Sequence, residues 1–312
     1  MSVRIICGDA IEKLRELPDE SVQCCVTSPP YWGLRDYGVD GQLGLEDTPE
    51  EFVDVLVGVL MEVRRVLRSD GTLWLNLGDS YCGAPGGYQG KSGDRASRTF
   101  TAKTDKQKRG EGLKPKDLVG IPWRVALALQ GAGWWLRSDI IWHKTNPMPE
   151  SVRDRPTKSH EYLFLLAKSS RYYFDQESVR EPVSANWKPS GAPTVKEMGP
   201  GVVDGSAKQR RLEYAEAKGA NVRSVWPIPT QPFAKAHFAT MAPKLAERCI
   251  LAGCPLGGVV LDPFSGAGTI GLVADRLGRD AILIDLNPEY CEMARARIKG
   301  DAPLISEVEV IA

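Results

Sequence analysis

Val259-Val260-Leu261-Asp262-Pro263-Phe264-Ser265-Gly266-Ala267-Gly268-Thr269 is the stretch on which the fold turns. A short apolar run breaks at an acid, a proline and an aromatic, and a glycine-rich turn then opens a helix-like run over 270–277. Ala281-Ile282-Leu283-Ile284 follows as a second buried strand and ends on Asp285, which completes a β-α-β unit. Gly266, Gly268 and Gly271 satisfy the spacing G-x-G-x-x-G, and Asp285 stands nineteen residues beyond the first of them, near the distance at which such units place a ribose-binding acid. The pattern points to an adenosine-type ligand without saying which.

Few residues follow Asp285, so a doubly wound sheet begun here has to find its remaining strands upstream. Val3-Arg4-Ile5-Ile6-Cys7 reads as a strand ending at Gly8-Asp9, followed by an amphipathic helical turn over 10–17. A second buried strand over 22–27 ends at Ser28-Pro29-Pro30-Tyr31. Thr48-Pro49-Glu50-Glu51 reads as an N-cap with proline at the first helical position, and Phe52, Val55, Leu56, Val59, Leu60, Val63 and Leu67 keep helical spacing, which predicts a helix over 49–68. A turn at Ser69-Asp70-Gly71 is expected, then a strand over 72–77, a helix over about 122–132, and strands over 135–143 and 162–167. Strands alternating with helices predict a mostly parallel α/β sheet of Rossmann-like type, with helices on both faces.

The chain has 312 residues, 42% hydrophobic and 26% charged, and so can bury a large core. No membrane-spanning run and no signal-peptide pattern is read, so a cytoplasmic protein is the expectation. Seven cysteines without a C-x-x-C and three scattered histidines predict neither a metal site nor a disulfide framework. Lys+Arg and Asp+Glu balance at 40 each, so a polyanionic partner has to be held by a local patch. Such a patch exists over 80–118, where nine basic residues (Lys91, Arg95, Arg98, Lys103, Lys106, Lys108, Arg109, Lys114 and Lys116) face four acidic ones, a net +5. Residues 176–222 are likewise irregular and carry Lys208-Gln209-Arg210-Arg211. Either segment read alone is a solvated insertion, but loops of this length inside a domain are more often functional.

Two motifs carry chemistry. In Ser28-Pro29-Pro30-Tyr31 the prolines fix the backbone and remove two N–H donors, leaving a rim of carbonyl oxygens, one hydroxyl and one aromatic face. That rim suits an amino group donating hydrogen bonds while its ring stacks on Tyr31. In Asp262-Pro263-Phe264 an acid and an aromatic stand where a phosphate-cradling loop would run straight into its glycines. The acid repels phosphate and suits an ammonium. A ligand with an amino-acid end, a sulfonium and an adenosine fits, with Asp262 near the amine, Phe264 near the cation and Asp285 on the ribose.

Together these residues resemble the β-type, circularly permuted amino-methylating DNA methyltransferases of the cytosine-N4 and adenine-N6 family, in which the catalytic half precedes the cofactor half. The resemblance implies a Rossmann-like fold dependent on S-adenosylmethionine. It assigns Ser28, Pro29, Pro30 and Tyr31 to catalysis, and Asp262, Phe264, Gly266, Gly268, Thr269 and Asp285 to the cofactor, with Asp9 receiving the adenine amino group. His237, ahead of Pro243 and Leu245, is similar to the element preceding the cofactor loop, and Leu45-Glu46 with Thr48 to the segment after the catalytic motif. Trp142, Lys144 and Asn146 resemble a base-pocket motif. Lys103, Lys106, Lys108, Arg109, Arg210 and Arg211 are the expected DNA contacts. The implied organisation is a catalytic half (1–79 and 119–175), a basic insertion (80–118), a target-recognition segment (176–222) and a cofactor half (223–312). Double-stranded DNA is the implied partner, and a cognate restriction endonuclease is one that the family allows.

Serine at position 28 is more typical of cytosine-N4 than of adenine-N6 enzymes, so cytosine-N4 methylation by base flipping and direct displacement is the expected reaction, with adenine-N6 as the alternative. A cytosine-C5 enzyme needs a cysteine nucleophile, normally after proline, and none of the 22 prolines precedes a cysteine. A nicotinamide dehydrogenase shares the glycine spacing but leaves Asp262-Pro263-Phe264 unexplained. A non-catalytic nucleic-acid binder leaves both motifs idle. RNA or a protein amide is a further acceptor to weigh, although asparagine or aspartate is then more usual at position 28.

Overall fold

The computed structural model describes residues 1–34, 38, 39, 41–82, 112–182, 219–231, 233, 240–301 and 307–311. Among them one sheet is built from β1 (Ser2–Cys7), β2 (Val22–Thr27), β3 (Leu67–Leu77), β4 (Trp135–His143), β5 (His160–Ala167), β6 (Val225–Pro227), β7 (Val259–Asp262), β8 (Asp280–Asp285) and β9 (Glu307–Ile311). The strand order is β6-β4-β5-β3-β2-β7-β8-β1-β9, and all neighbours are parallel except the two pairs that β5 makes. The helices are α1 (Ala10–Glu16), α2 (Pro49–Val66), α3 (Ile121–Gly131), α4 (Pro243–Gly253), α5 (Thr269–Arg276) and α6 (Pro288–Asp301). α1, α2 and α3 pack on one another over one face, and α4, α5 and α6 over the other.

Adjacent strand residues point to opposite faces. Cys25, Leu73 and Leu75 join Phe52 and Leu56 of α2 in one core layer, whereas Cys24, Thr72 and Trp74 press against Gly253 of α4 on the other side. Both members of the Cys24-Cys25 pair are therefore fully buried, as expected of a central parallel strand covered on both faces. α2 starts where its sequence says it should. The Thr48 hydroxyl accepts from the Glu51 N–H and the Glu51 carboxylate accepts from the Thr48 N–H, with Pro49 at the first helical position.

Four details depart from the sequence reading. β3 begins at Leu67 rather than Thr72, because Leu67 pairs with Val22 ahead of a register shift, and the expected turn residues Ser69 and Asp70 are exposed positions inside the strand. β5 runs antiparallel, since no helix separates it from β4 and the chain must double back. β6 is too short to show a period. β9 adds a strand downstream of Asp285, where none was expected, parallel to β1.

No helix among the described residues is long and apolar enough to cross a membrane. Met1–Phe174 and Ser224–Ala312 form one compact unit, and Asp175–Arg223 a second. Within the second, Glu181 bridges to Ala220 and pairs with Arg223.

The chain crosses from β2 through α2 to β3 in one direction, and from β7 through α5 to β8 in the other. Connections thus diverge between β2 and β7. A crevice opens at their carboxyl ends, which is where open α/β sheets bind ligands.

Candidate active site

β2 and β7 end side by side in that crevice. The Thr27 hydroxyl donates to Asp262 Oδ1 at 2.7 Å, and the Phe264 N–H donates to the same oxygen at 3.1 Å. Oδ2 is the oxygen left for a ligand. Asp262 is only 4% exposed, and burial pushes its carboxyl up to about 7, against the pull of those two hydrogen bonds and with a smaller push from Asp285. A buried acid with a carboxyl raised this way, opening into a crevice, marks a candidate ligand site.

The glycine loop is tied to the neighbouring strand end. The Ser265 N–H donates to the Ile284 carbonyl at 2.9 Å, and Asp285 accepts from the Gly266 N–H at 2.7 Å and the Asn287 N–H at 2.9 Å. Burial raises the Asp285 carboxyl, and those two N–H donors oppose the rise. Gly266 and Gly268 have φ of +51° and +70°, in the region that favours glycine. Gly268 is also pressed on α6, where an added Cβ would lie 2.6 Å from that of Ala294. Arg297 braces the loop from α6, donating to the Ala267 carbonyl at 3.1 Å and to Thr269 Oγ1 at 2.9 Å while its guanidinium lies over the Phe233 ring. The buried Ser265 hydroxyl has no partner among the described residues, so one polar atom of this loop awaits a ligand or water. Across the crevice Asp9 caps α1, its Oδ1 accepting from the Glu12 N–H at 3.0 Å.

Immediately after Thr27 comes the proline-rich motif. Ser28 Oγ lies 3.3 Å from the Tyr31 hydroxyl, which donates to Glu161 Oε2 at 2.8 Å. Glu161 Oε2 also accepts from Asn76 Nδ2 at 3.2 Å, and its Oε1 pairs with Lys144. The Lys144 ammonium sits 4.8 Å over the Trp142 ring, and the Trp142 indole N–H donates to the Ile228 carbonyl at 2.9 Å. Tyr31 lies against the Gly78 backbone so closely that a Cβ there would be 2.4 Å from its ring. Asn146 secures the loop carrying Thr230, accepting from the Thr230 N–H at 2.7 Å and donating to its carbonyl at 3.2 Å.

One cavity of about 890 Å³ joins both motifs, within the size range of small-molecule sites. Asp9, Ser28, Pro29, Pro30, Tyr31, Trp142, Lys144, Asp262, Phe264, Gly266, Thr269 and Asp285 all line it. Gly268 and Asn146 do not line it but support residues that do. His237, Lys103, Lys106, Lys108, Arg109, Arg210 and Arg211 lie outside the described residues. The lining also includes Asn76, Lys158, Glu161, Phe233 and Ser265, none of which the sequence singled out. Burial lowers the Lys158 ammonium, which donates to the Asp79 carbonyl at 3.3 Å. Only the motif Asp262–Thr269, read residue by residue, could have flagged Ser265. The others reach the cavity through strand pairing or loop packing.

The model of the N6/N4 DNA methylase family matches residues 22–296. The Type II methyltransferase M.Cfr9I of Citrobacter freundii is 48% identical over 294 residues, covering 94% of this chain and 87% of that protein. The Type II methyltransferase M.SmaI of Serratia marcescens is 46% identical over 297 residues, covering 95% and 91%. Among solved structures, the putative DNA modification methylase TTHA0409 of Thermus thermophilus, complexed with S-adenosyl-L-methionine, superposes with a TM-score of 0.62 at 26% identity, covering 99% of this chain and 100% of that one. PvuII DNA methyltransferase (cytosine-N4-specific) shares the fold, with a TM-score of 0.63 at 18% identity over 99% of this chain and 96% of that one. With its family model spanning most of the sequence, and both chemical motifs opening into one cavity at the sheet's switch point, the chain belongs to the S-adenosylmethionine-dependent N6/N4 family of DNA methyltransferases.

Proposed function

We propose that this chain is a Type II modification enzyme that methylates the exocyclic N4 of a cytosine flipped out of duplex DNA. The observation that carries the reading is the abutment of Ser28-Pro29-Pro30-Tyr31 on Asp262 through the Thr27 hydrogen bond, which puts an amine-accepting rim beside a cation-accepting acid. The cofactor fits the residues present: Asp262 Oδ2 for the ammonium, Asp285 for the ribose hydroxyls, Asp9 for the adenine amine and the buried Ser265 hydroxyl for a further polar contact. When bound, S-adenosylmethionine supplies an electrophilic methyl group on a sulfonium. Ser28 Oγ and the Pro29 carbonyl accept the two hydrogens of the target amine, localising a lone pair otherwise delocalised into the base. Tyr31 offers its ring to the extruded base and so offsets part of the few kcal/mol needed to unstack it.

Serine at position 28 supports cytosine over adenine, and the Type II relatives support a restriction-modification setting with a partner endonuclease. In this reading 1–79 and 119–175 hold the base, with Asp9 alone of these turned to the cofactor, and 223–312 holds the rest of the cofactor. The permuted order of these parts is supported by β7, late in the chain, lying between β2 and β8. Residues 176–222 read the target, and the basic residues of 80–118 hold phosphates, as their net charge supports. Mass spectrometry of nucleosides from mixed-sequence duplex DNA, incubated with the protein and S-adenosylmethionine, tests this. N4-methylcytosine is expected, and N6-methyladenine would overturn the choice of base while keeping the chemistry.

A further inference from the structure

Ser28 has to accept a hydrogen bond from the target amine, so its own hydroxyl hydrogen must point elsewhere. The structure supplies that direction. The Ser28 hydroxyl donates to Tyr31 Oη at 3.3 Å, and Tyr31 donates in turn to Glu161 Oε2 at 2.8 Å. Glu161, held at the start of β5 and only 14% exposed, can only accept while ionised. Lys144 and Asn76 hold it in place, the first by an ion pair and the second by a hydrogen bond of 3.2 Å. A carboxylate at the far end therefore fixes the polarity of the whole chain of hydroxyls.

We propose that Glu161 is a positioning residue for the methyl-transfer step, acting through Tyr31 on Ser28: it keeps the Ser28 lone pairs facing the amine and takes up the proton that the methylated nitrogen sheds. This rests on the amine-methylation reading and extends it to a carboxylate outside the Ser-Pro-Pro-Tyr motif. As the amine attacks, a nitrogen–carbon bond forms and the sulfonium carbon–sulfur bond breaks, leaving a cationic nitrogen with both its original hydrogens. One of them passes to Ser28 Oγ, the Ser28 hydrogen to Tyr31 Oη, and the Tyr31 hydrogen to Glu161. Ser28 and Tyr31 end unchanged, Glu161 ends as a neutral acid, and it then returns its proton to solvent. The role requires the Tyr31 hydroxyl as well as its ring.

Tyr31→Phe, Glu161→Gln and the double variant test this by single-turnover methylation of unmethylated mixed-sequence duplex DNA, with S-adenosylmethionine binding measured by calorimetry. Each single variant should lose about tenfold to a hundredfold in rate, a loss on the scale of acid–base and hydrogen-bond contributions to catalysis. Cofactor affinity and the DNA concentration for half-maximal rate should stay within about twofold, and the double variant should be no slower than the slower single one, because both break the same chain. A wild-type rate in Tyr31→Phe, losses that multiply in the double variant, or losses confined to binding would overturn the proposal. If Glu161→Gln disturbs the fold, Tyr31→Phe decides alone, since it removes one hydroxyl and keeps the ring. Methylated nucleoside from the wild type together with an unimpaired Tyr31→Phe sinks the relay alone. No methylated nucleoside from the wild type sinks the amine-methylation reading and the relay with it.

Discussion

Thr27 and Asp262, 235 residues apart in the chain, are joined by a buried hydrogen bond of 2.7 Å that ties the end of β2 to the end of β7. The bond stands where the two crossover directions diverge, and it fixes Asp262 beside Ser28, the first residue of the proline-rich motif. Replacing Thr27 by Val keeps the shape and removes the donor. The expected cost is about 1–3 kcal/mol of stability, the range for leaving a buried polar group short of its partner. Losing that donor also drives the Asp262 carboxyl further up, so cofactor binding should weaken at neutral pH. Chemical denaturation and calorimetry check both, and an unchanged midpoint with unchanged affinity would contradict the assignment.

With Asp262 receiving the cofactor's ammonium, as proposed, the pH dependence of binding follows from its carboxyl. Burial pushes its carboxyl up to about 7 in the folded, cofactor-free chain, whereas an unfolded aspartate ionises near 4. Between those values the folded state holds a proton that the unfolded state releases, so this group's contribution makes the free protein less stable as pH rises through the window. An ammonium docked on Asp262 needs the ionised form. Affinity for S-adenosylmethionine should therefore rise with pH up to about 7 and level off above it, by up to about tenfold per unit well below 7 for a single linked proton. Calorimetry in two buffers of different ionisation enthalpy should register proton release on binding at pH 6. Affinity that falls as pH rises would count against the ammonium contact.

Gly78→Ala tests the seating of Tyr31. The added Cβ would lie 2.4 Å from the Tyr31 ring, and Pro29 and Pro30 leave little backbone freedom to retreat. Turnover should fall by about tenfold or more while cofactor affinity holds, a 1 Å misplacement of a reacting group being enough for losses of this order. Wild-type turnover in this variant would mean that the ring position is not part of the chemistry.

How legible these relationships were in the sequence depended on distance along the chain. The β-α-β unit around Asp262, the strand ending at Ser28 and the capped start of α2 are local patterns, and they were readable from periodicity and capping chemistry alone. Asp262 stood out because an acid is the wrong residue for a phosphate loop. Glu161 and Asn76 could not stand out. They meet Tyr31 only because β5 inserts antiparallel beside β3, and register is set by pairing that no local pattern records. Gly78 reads as an ordinary strand exit until the Tyr31 ring is seen lying on it. Gly268 carries a double duty, in the loop and against α6, that glycine spacing alone does not separate.

DNA affinity should be strongly salt-dependent. If the basic residues of 80–118 neutralise several phosphates, binding should weaken by roughly tenfold or more between 50 and 200 mM salt. Replacing Lys103, Lys106, Lys108 and Arg109 together by Ala should flatten that slope across all sequences alike. Fluorescence anisotropy at a series of salt concentrations reads the slope, and an unchanged slope in the variant would remove these residues from the interface.

The division of labour across the crevice is tested most directly by comparing Ser28→Ala with Asp262→Ala in parallel cofactor-binding and methyl-transfer measurements. Ser28→Ala should bind S-adenosylmethionine within about twofold of the parent while methyl transfer falls by about a hundredfold or more, the scale of losing one preorganised hydrogen-bonding group in a catalytic site. Asp262→Ala should lose cofactor binding itself. Equal loss of binding in both variants, or full turnover in Ser28→Ala, would contradict the account.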